Sequence, residues 1–250
     1  MNSENSIDLS LVIACYKDGA YLESSLCEIE KVLEQTRYTY ELILIDDCSP
    51  DGSARMVEEA AAKRENARCL LHQENVGRGG TVSEGMQMAR GRYTGYLDID
   101  LEVHARYIPS MLLALEEGCD GATAHRFYEI RWKPDIFFRH ILSMTYRLLV
   151  RSLLGLPYID TETGYKFFVR ERIAPILKET HSPGWFWDTE IMAQCHYHGL
   201  RIQEIPALFL RRPERTTTVK PFRDSIIYFR ELMRFRRRCK TNKKTSQPVS

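Results

Sequence analysis

The 250-residue sequence contains no apolar run that approaches the ~18 residues needed to cross a bilayer. Its first nine residues lack the basic and then apolar layout of a secretory signal. The seven cysteines are scattered singly and form no Cys-x-x-Cys pair, which argues against a disulfide scaffold and a structural zinc site. These absences predict a cytoplasmic protein with reduced thiols.

Two common nucleotide-binding signatures are also missing. The glycine-rich segment 75–80 reads NVGRGG, which is not Gly-x-Gly-x-x-Gly, and no acidic residue follows it at the dinucleotide spacing. It also lacks the Gly-Lys-Ser/Thr of a P-loop. We therefore exclude a nicotinamide-dependent enzyme and a P-loop ATPase.

Charge is divided unevenly along the chain, although the net charge is only +1. Residues 211–250 contain 13 Lys/Arg and 3 Asp/Glu, whereas residues 1–210 contain 22 and 31. A basic C-terminal segment on an acidic body predicts contact with an anionic partner such as lipid headgroups or phosphates. Nucleic acid is not expected, because the basic segment has few interleaved aromatic residues beyond Phe235. Residues 240–250 are polar and predict a solvated, partly disordered tail.

Short apolar segments alternate with segments of helical periodicity through the first hundred residues, and no internal repeat is present. The pattern predicts a mixed α/β fold with a Rossmann-like, mostly parallel sheet flanked by helices. The predicted strands are 9–14, 40–45, 67–72 and 93–97, and the predicted helices are 21–35, 53–63 (with Ser53 as N-cap) and 81–89. Two amphipathic helices are predicted later in the chain, at 134–156 and 223–238.

Acidic residues follow two of the predicted strands at the point where each strand ends. Asp46 and Asp47 follow the second strand, and Asp98 and Asp100 follow the fourth. Ligands of such sheets bind beyond the carboxyl ends of the strands, so we expect the site there. In an extended chain Asp98 and Asp100 face the same side, and hard oxygen ligands select Mg²⁺ or Mn²⁺ with positions left for substrate phosphates. Glu102 is a further candidate metal ligand.

Six segments together carry a resemblance to a known family. They are LILIDDCSPDG (42–52), NVGRG (75–79), ARGRY (89–93), YLDIDLE (96–102), DTETGYKFF (160–168) and WFWDTE (185–190). In combination they resemble family 2 inverting glycosyltransferases with the GT-A fold, in particular the dolichyl- and polyprenyl-phosphate mannosyl- and glucosyltransferases. The resemblance implies a GT-A domain over residues 1–220, followed by a basic amphipathic helix and tail at 221–250.

The resemblance implies that a nucleotide-diphosphate sugar binds at the acidic edge, while the sugar and the nucleotide stay open. The implied donor-binding residues are Ala14, Tyr16, Asp18, Asp46, Asp47, Gly77, Asp98, Ile99, Asp100, Arg212, Arg215 and Lys220. Asp98 and Asp100, with Glu102, would hold Mg²⁺ or Mn²⁺ on the diphosphate, and Asp98 and Asp100 are thereby catalytic. Which of Arg211, Arg212 and Arg215 contacts the donor stays open.

On the acceptor side, the resemblance implies that Arg126, Arg139 and Ser143 contact a phosphate. A polyprenyl phosphate is already ionised near pH 7, so transfer to it needs no strong general base. Transfer to a sugar hydroxyl would need a carboxylate to take the proton, and Asp188 or Glu190 is then the catalytic candidate.

We expect peripheral association with the cytoplasmic face of the membrane through the two amphipathic helices, in the biosynthesis of cell-envelope glycans. A separate membrane subunit is an alternative anchor. Two other functions stay open: transfer to a hydroxyl of a polysaccharide or glycolipid, and a non-catalytic nucleotide-sugar-binding subunit.

Overall fold

The structure is a computed structural model that describes residues 6–128, 147–210 and 221–245. The strands are β1 (Leu9–Cys15), β2 (Tyr40–Asp46), β3 (Ala67–Leu71), β4 (Tyr93–Leu97), β5 (Gly121–Tyr128), β6 (Tyr165–Val169) and β7 (Ile202–Phe209). The helices are α1 (Gly19–Leu33), α2 (Ser53–Ala62), α3 (Arg78–Met88), α4 (Ile108–Glu116), α5 (residues 147–154), α6 (Arg170–Leu177), α7 (Trp187–Tyr197) and α8 (Pro221–Thr245). A short 3₁₀ helix, Ala105–Tyr107, precedes α4.

The strands form one sheet in the order β3-β2-β1-β4-β6-β5-β7. β1 to β4 are mutually parallel, and β7 is parallel to β5. β6 is antiparallel to both of its neighbours, β4 and β5. The predicted mixed α/β fold with a mostly parallel sheet is therefore confirmed, and β6 is the antiparallel strand within it.

Both faces of the sheet are covered, which explains why β1 and β2 are almost continuously apolar. Leu11 and Leu44 point into a core cluster that α1, α2 and α4 share. Val12 and Ile45 point the other way, into a cluster with α3, α5, α6, α7 and α8. Because successive strand residues face opposite sides, each helical layer receives every second side chain. The result is a rigid sheet whose carboxyl edge positions the polar loops.

Most helix boundaries differ from the predictions by one or two residues, and three differences change the structural interpretation. Ser53 is the first residue of α2 and not its N-cap, because Gly52 at φ 86° precedes the helix and Ser53 Oγ donates to Asp51 Oδ1 at 2.7 Å. α3 begins at Arg78, three residues before the predicted start. α8 continues to Thr245, so the first part of the tail predicted to be disordered is helical.

The two predicted amphipathic helices are described to different extents. Residues 134–146 of the first lie outside the described residues, and α5 ends the helix before Gly155 at φ 68°. α8 buries Leu232 and Phe235 in the same core cluster as α7. None of the helices within the described ranges combines the length and apolarity that a bilayer crossing requires.

Candidate active site

The loops that follow β1 and β2 are joined at the carboxyl edge of the sheet. The backbone N–H of Lys17 donates to Ser49 Oγ at 3.0 Å, and that of Gly19 donates to Ser53 Oγ at 3.1 Å. The N–H of Asp47 donates to the carbonyl of Cys15 at 2.9 Å. These bonds hold the first acidic cluster beside the end of β1, at the edge where β4 also delivers Asp98.

The residues expected to line a nucleotide pocket differ in exposure. Tyr16 is 39% exposed, Ala14 is half-buried, and Asp18 and Asp46 are buried. Asp46 Oδ2 accepts the N–H of Ser49 at 2.8 Å. Asp46 Oδ1 is buried and accepts no hydrogen bond from any residue that the structure describes. A buried carboxylate oxygen without a donor is an acceptor to which a ligand N–H or O–H could bind.

Asp47 holds the glycine-rich turn in place. Its carboxylate accepts the N–H groups of Val76 and Gly77 at 2.8 and 2.9 Å, and His72 Nδ1 lies 2.9 Å from Asp47 Oδ1. The backbone N–H groups of Gly79 and Gly80 donate to the carbonyl of Pro183. The N–H groups of Gly79 and Gly80 at the start of α3 are therefore bonded within the chain, and the contacts of Asp47 and Gly77 build the turn.

Asp98 and Asp100 line one recess together with Glu102 and Arg126; its remaining walls are Val103, Thr163, Gly164 and Phe209. The expected extended geometry is wrong, because the chain turns directly after β4 and Leu101 has φ 50°. The turn nevertheless brings the two carboxylates to the same recess. Asp98 has 44% of its side chain exposed, whereas Asp100 is buried and accepts the N–H of Glu102 at 3.1 Å. The side chain of Ile99 is buried in the core, which leaves its backbone for any donor contact.

Arg78 joins two carboxylates that come from distant parts of the chain. Its Nε and Nη2 donate to Asp98 Oδ1 at 3.0 and 2.6 Å, and its Nη1 donates to Asp188 Oδ2 at 2.6 Å. The Trp185 ring, 49% exposed, lies 5.1 Å from the guanidinium carbon. Burial would lower the pKa of Arg78, but the charges of Asp188 and Asp98 raise it above its usual range. Arg78 was not predicted from the sequence as a site residue, and only its place within the glycine-rich segment 75–80 could have indicated it.

Asp188 is buried and both of its oxygens have partners. The Tyr96 hydroxyl donates to Oδ1 at 2.5 Å, Lys166 Nζ lies 3.5 Å from Oδ1, and Arg78 binds Oδ2. Lys166 is fully buried and also donates to the carbonyl of Thr163. Burial lowers the pKa of Lys166, while the charge of Asp188 opposes this. Asp188 is thus the centre of a buried charge network beside the recess.

Glu190 is fully buried and contacts other parts of the fold. Its carboxylate accepts the N–H groups of His181 and Ser182 at 3.2 and 2.7 Å and a hydrogen bond from Arg238 at 2.7 Å. These partners place it between the loop before α7 and helix α8. The structure therefore offers Glu190 no contact with the recess, whose walls do not include it.

Arg126 carries positive charge to the wall of the recess. Its Nε and Nη2 donate to Asp160 Oδ2 and Oδ1 at 2.7 and 2.9 Å, and Arg147 Nη2 lies 3.4 Å from Asp160 Oδ2. Burial would raise the pKa of Asp160, but Arg126 and Arg147 bring it well below its usual range. Burial raises the pKa of neighbouring Glu162 to about 6. The other residues predicted to bind acceptor or donor lie outside the described residues: Arg139, Ser143, Arg211, Arg212, Arg215 and Lys220.

The donor set of the recess fits a hard divalent cation. Asp98, Asp100 and Glu102 supply carboxylate oxygens. None of the described residues donates a hydrogen bond to Asp98 Oδ2. No group of three or more His, Cys, Asp or Glu side chains in the described part of the chain is gathered closely enough to hold an ion alone. A cation here would therefore need substrate oxygens to complete its ligands, which is typical of Mg²⁺ bound with phosphates.

The sheet order, with one antiparallel strand inserted beside β4 and carboxylates at the end of β4, defines a GT-A glycosyltransferase fold. The solved structure of mannosyl-3-phosphoglycerate synthase from Rubrobacter xylanophilus superposes with a TM-score of 0.69 at 16% identity, covering 98% of this chain and 77% of that one. Glucosyl-3-phosphoglycerate synthase from Mycobacterium tuberculosis, in complex with Mn²⁺, UDP and phosphoglyceric acid, superposes with a TM-score of 0.67 at 17% identity. That match covers 98% of this chain and 80% of the other.

The family follows from the sequence itself. The model of glycosyl transferase family 2 matches residues 10–174, and the chain belongs to this family. The predicted family and the predicted class of enzyme, a glycosyltransferase, are thereby confirmed.

Curated relatives are similar over most of this chain. Glycosyltransferase AglD of Haloferax volcanii is 27% identical over 87% of the chain, which spans about a third (35%) of that protein. Dolichyl-phosphate beta-glucosyltransferase of Dictyostelium discoideum is 27% identical over 94% of the chain and 76% of its own length. Undecaprenyl-phosphate 4-deoxy-4-formamido-L-arabinose transferase of Proteus mirabilis is 28% identical over 82% of the chain and 57% of its own length.

Proposed function

We propose that the protein transfers a sugar, with inversion, from a nucleotide-diphosphate sugar to a polyprenyl phosphate at the cytoplasmic membrane face. One observation carries this proposal. The recess places the carboxylates of Asp98 and Asp100 and the guanidinium of Arg126 on its walls, while the neighbouring Asp188 has both oxygens occupied. The recess thus offers charge for two phosphate-bearing substrates, and the predicted base Asp188 is buried beside it. The names of the relatives from Dictyostelium and Proteus support a lipid-phosphate acceptor.

On the donor side, Asp98, Asp100 and Glu102 would hold Mg²⁺ or Mn²⁺ against the diphosphate. When bound, the cation supplies positive charge that stabilises the departing diphosphate. Asp46, whose buried Oδ1 has no hydrogen-bond partner among the described residues, accepts an N–H or O–H group of the nucleotide. Arg212 or Arg215, and Lys220, would add positive charge over the donor from a segment outside the described residues.

On the acceptor side, Arg126 binds and orients the incoming phosphate. Asp160 fixes the fork of Arg126 through two hydrogen bonds, so the guanidinium is presented in one orientation. An acceptor phosphate oxygen attacks the anomeric carbon from the face opposite the diphosphate, which inverts that centre. No proton has to be removed, because the second ionisation of a phosphate monoester has a pKa of about 6.

Attack by a sugar hydroxyl is the second candidate, and it requires a base. Of the two predicted bases, Asp188 is the one linked to the recess, through Arg78 and Asp98, but Arg78, Tyr96 and Lys166 surround its carboxylate. A buried carboxylate that already accepts these bonds is a poor base for an incoming hydroxyl. This arrangement favours the lipid phosphate. The third candidate, a non-catalytic subunit, predicts that no nucleotide sugar is consumed.

Two exposed apolar segments support peripheral membrane binding. α8 exposes Ile226, Ile227 and Phe229 beside exposed arginines, and α5 exposes Leu148. A helix with apolar and basic exposed residues binds an anionic interface without crossing it. We expect the full chain to float with vesicles that contain phosphatidylglycerol, and Ile226→Ser to weaken flotation. If the full chain floated with vesicles only when a second membrane protein was present, a separate anchoring subunit would be indicated.

The test of the function is product identification. The full chain is incubated with UDP-glucose, UDP-galactose or GDP-mannose, with Mn²⁺ or Mg²⁺, and with a short polyprenyl phosphate in detergent. Mass spectrometry should detect a glycosyl polyprenyl phosphate. The polyprenol of the same chain length, a matched acceptor with a hydroxyl in place of the phosphate, should give no product.

Variants distinguish the acceptors further. Asp98→Asn should reduce transfer at least about a hundredfold, whereas Glu59→Gln, on the exposed face of α2, should leave it unchanged. Asp188→Asn should retain transfer to the lipid phosphate within about tenfold in the folded protein. A loss of more than about a hundredfold in Asp188→Asn, or a product from the polyprenol, would favour a hydroxyl acceptor.

A further inference from the structure

Arg78 places a positive charge against Asp98, a predicted metal ligand. Its guanidinium makes two hydrogen bonds to Asp98 Oδ1, the nearer at 2.6 Å, and only 13% of the side chain is exposed. Asp98 Oδ2 lies beside Gly164 and accepts no hydrogen bond from a described residue. One oxygen of the ligand is thus held by an internal cation, and the other is open.

The surroundings hold Arg78 against this oxygen. Nη1 is fixed by buried Asp188, and the exposed Trp185 ring covers the guanidinium. A Cβ at Gly164 would lie 2.5 Å from Asp98 Cγ and closer still to Asp98 Oδ2 and Arg78 Nη2. The absence of a side chain at Gly164 therefore provides the space in which the pair forms.

We propose that Arg78 is a positioning residue that makes cation binding depend on the nucleotide diphosphate. This inference rests on the proposed function, because it needs the cation at Asp98. A fixed guanidinium on Oδ1 repels a divalent cation that arrives alone, and it attracts the diphosphate that arrives with the cation. Free metal therefore binds weakly, whereas metal and diphosphate bind together. The same contact orients Asp98 so that Oδ2 faces the incoming cation.

The test measures Mn²⁺ affinity by the electron paramagnetic resonance signal of free Mn²⁺, alone and with saturating UDP or GDP. The variant is Arg78→Gln, and the matched control is Arg55→Gln, which removes an exposed arginine paired with Glu59 on α2. Arg78→Gln should bind Mn²⁺ alone at least about fivefold more tightly than the native protein, because the repelling charge is gone. Its gain in Mn²⁺ affinity on adding the diphosphate should shrink by a similar factor. Arg55→Gln should change neither quantity.

Folding is checked separately. Asp188 keeps Lys166 and Tyr96 as partners in Arg78→Gln, which preserves part of the network. Arg78→Lys keeps the charge but cannot reach both carboxylates with one ammonium, so it should give a smaller rise in affinity for Mn²⁺ alone.

The outcomes separate the two proposals. Unchanged or weaker binding of Mn²⁺ alone in folded Arg78→Gln and Arg78→Lys overturns the role of Arg78 and leaves the proposed function standing. Absence of Mn²⁺ binding in every protein, with and without the diphosphate, overturns the metal site and the role of Arg78 together.

Discussion

The replacement of Gly164 by alanine tests the geometry of the recess with a single methyl group. Gly164 does not have positive φ, so alanine fits the backbone, and its effect is steric. The Cβ would lie 2.5 Å from Asp98 Cγ, against 3.4–4 Å for ordinary contact. The Asp98 carboxylate or the Arg78 guanidinium must therefore move by about 1 Å, which separates the pair.

The expected loss of stability follows from the contact between Arg78 and Asp98 that is broken. Asp98 is 44% exposed and regains water when it moves, and Arg78 keeps Asp188. We expect a loss of about 2 kcal/mol in the free energy of unfolding, seen as a fall of roughly 4–8 °C in Tm. A displacement of about 1 Å at a catalytic group can cost about a hundredfold in rate, so kcat/KM should fall by about that factor.

The assay compares Gly164→Ala with Gly184→Ala in thermal unfolding and in sugar transfer. Gly184 is the matched control, because a Cβ there meets no atom within 4 Å. Gly184→Ala should resemble the native protein in both measurements. If Gly164→Ala transferred sugar at the native rate, the pair of Asp98 and Arg78 would have no part in the site.

Three other substitutions test the charges around the site. The pKa of Glu162 is raised to about 6 in the folded protein, so between pH 4.5 and 6 this carboxyl stays protonated there while it is ionised in the unfolded chain. The free energy of unfolding should therefore fall by at most about 2 kcal/mol as the pH rises from 4.5 to 6. In urea titrations Glu162→Gln should not show this fall, and an unchanged profile would contradict the expectation. Asp160→Asn strands the buried charges of Arg126 and Arg147 and should cost about 3–5 kcal/mol, and a native Tm would refute the pairing. Glu190→Gln should cost about 1–3 kcal/mol yet keep transfer within about tenfold; a larger loss in folded protein would return Glu190 to the catalytic candidates.

The first half of the sheet could be predicted from sequence because local patterns determine it. β1, β2 and β4 are short apolar segments that end in polar residues, and the carboxyl ends of parallel strands share one edge. This rule places Asp46 and Asp98 at the same edge of the sheet. The insertion of β6 between β4 and β5 could not be predicted in this way, since its pairing with β4 joins Tyr93 to Val169 across more than seventy residues.

The charge network beside the recess could not be predicted from the sequence for a similar reason. Arg78 is 20 residues from Asp98 and 110 residues from Asp188, and no sequence spacing relates the three. Asp188 and Glu190 looked equivalent in sequence, because both follow Trp185 within five residues. On α7, Asp188 contacts Arg78 beside the recess, whereas Glu190 contacts Arg238 of α8. Such differences depend on tertiary packing and not on local pattern.

Anomalous diffraction tests most directly whether the two aspartates at the end of β4 hold a divalent cation. Crystals of the full chain soaked with MnCl₂ and the diphosphate of the accepted donor should show one manganese peak between the carboxylates of Asp98 and Asp100. The same soak of Asp100→Asn should lose the peak, together with at least about a hundredfold of the transfer rate. A map without manganese at these carboxylates, with native transfer by Asp100→Asn, would contradict the account.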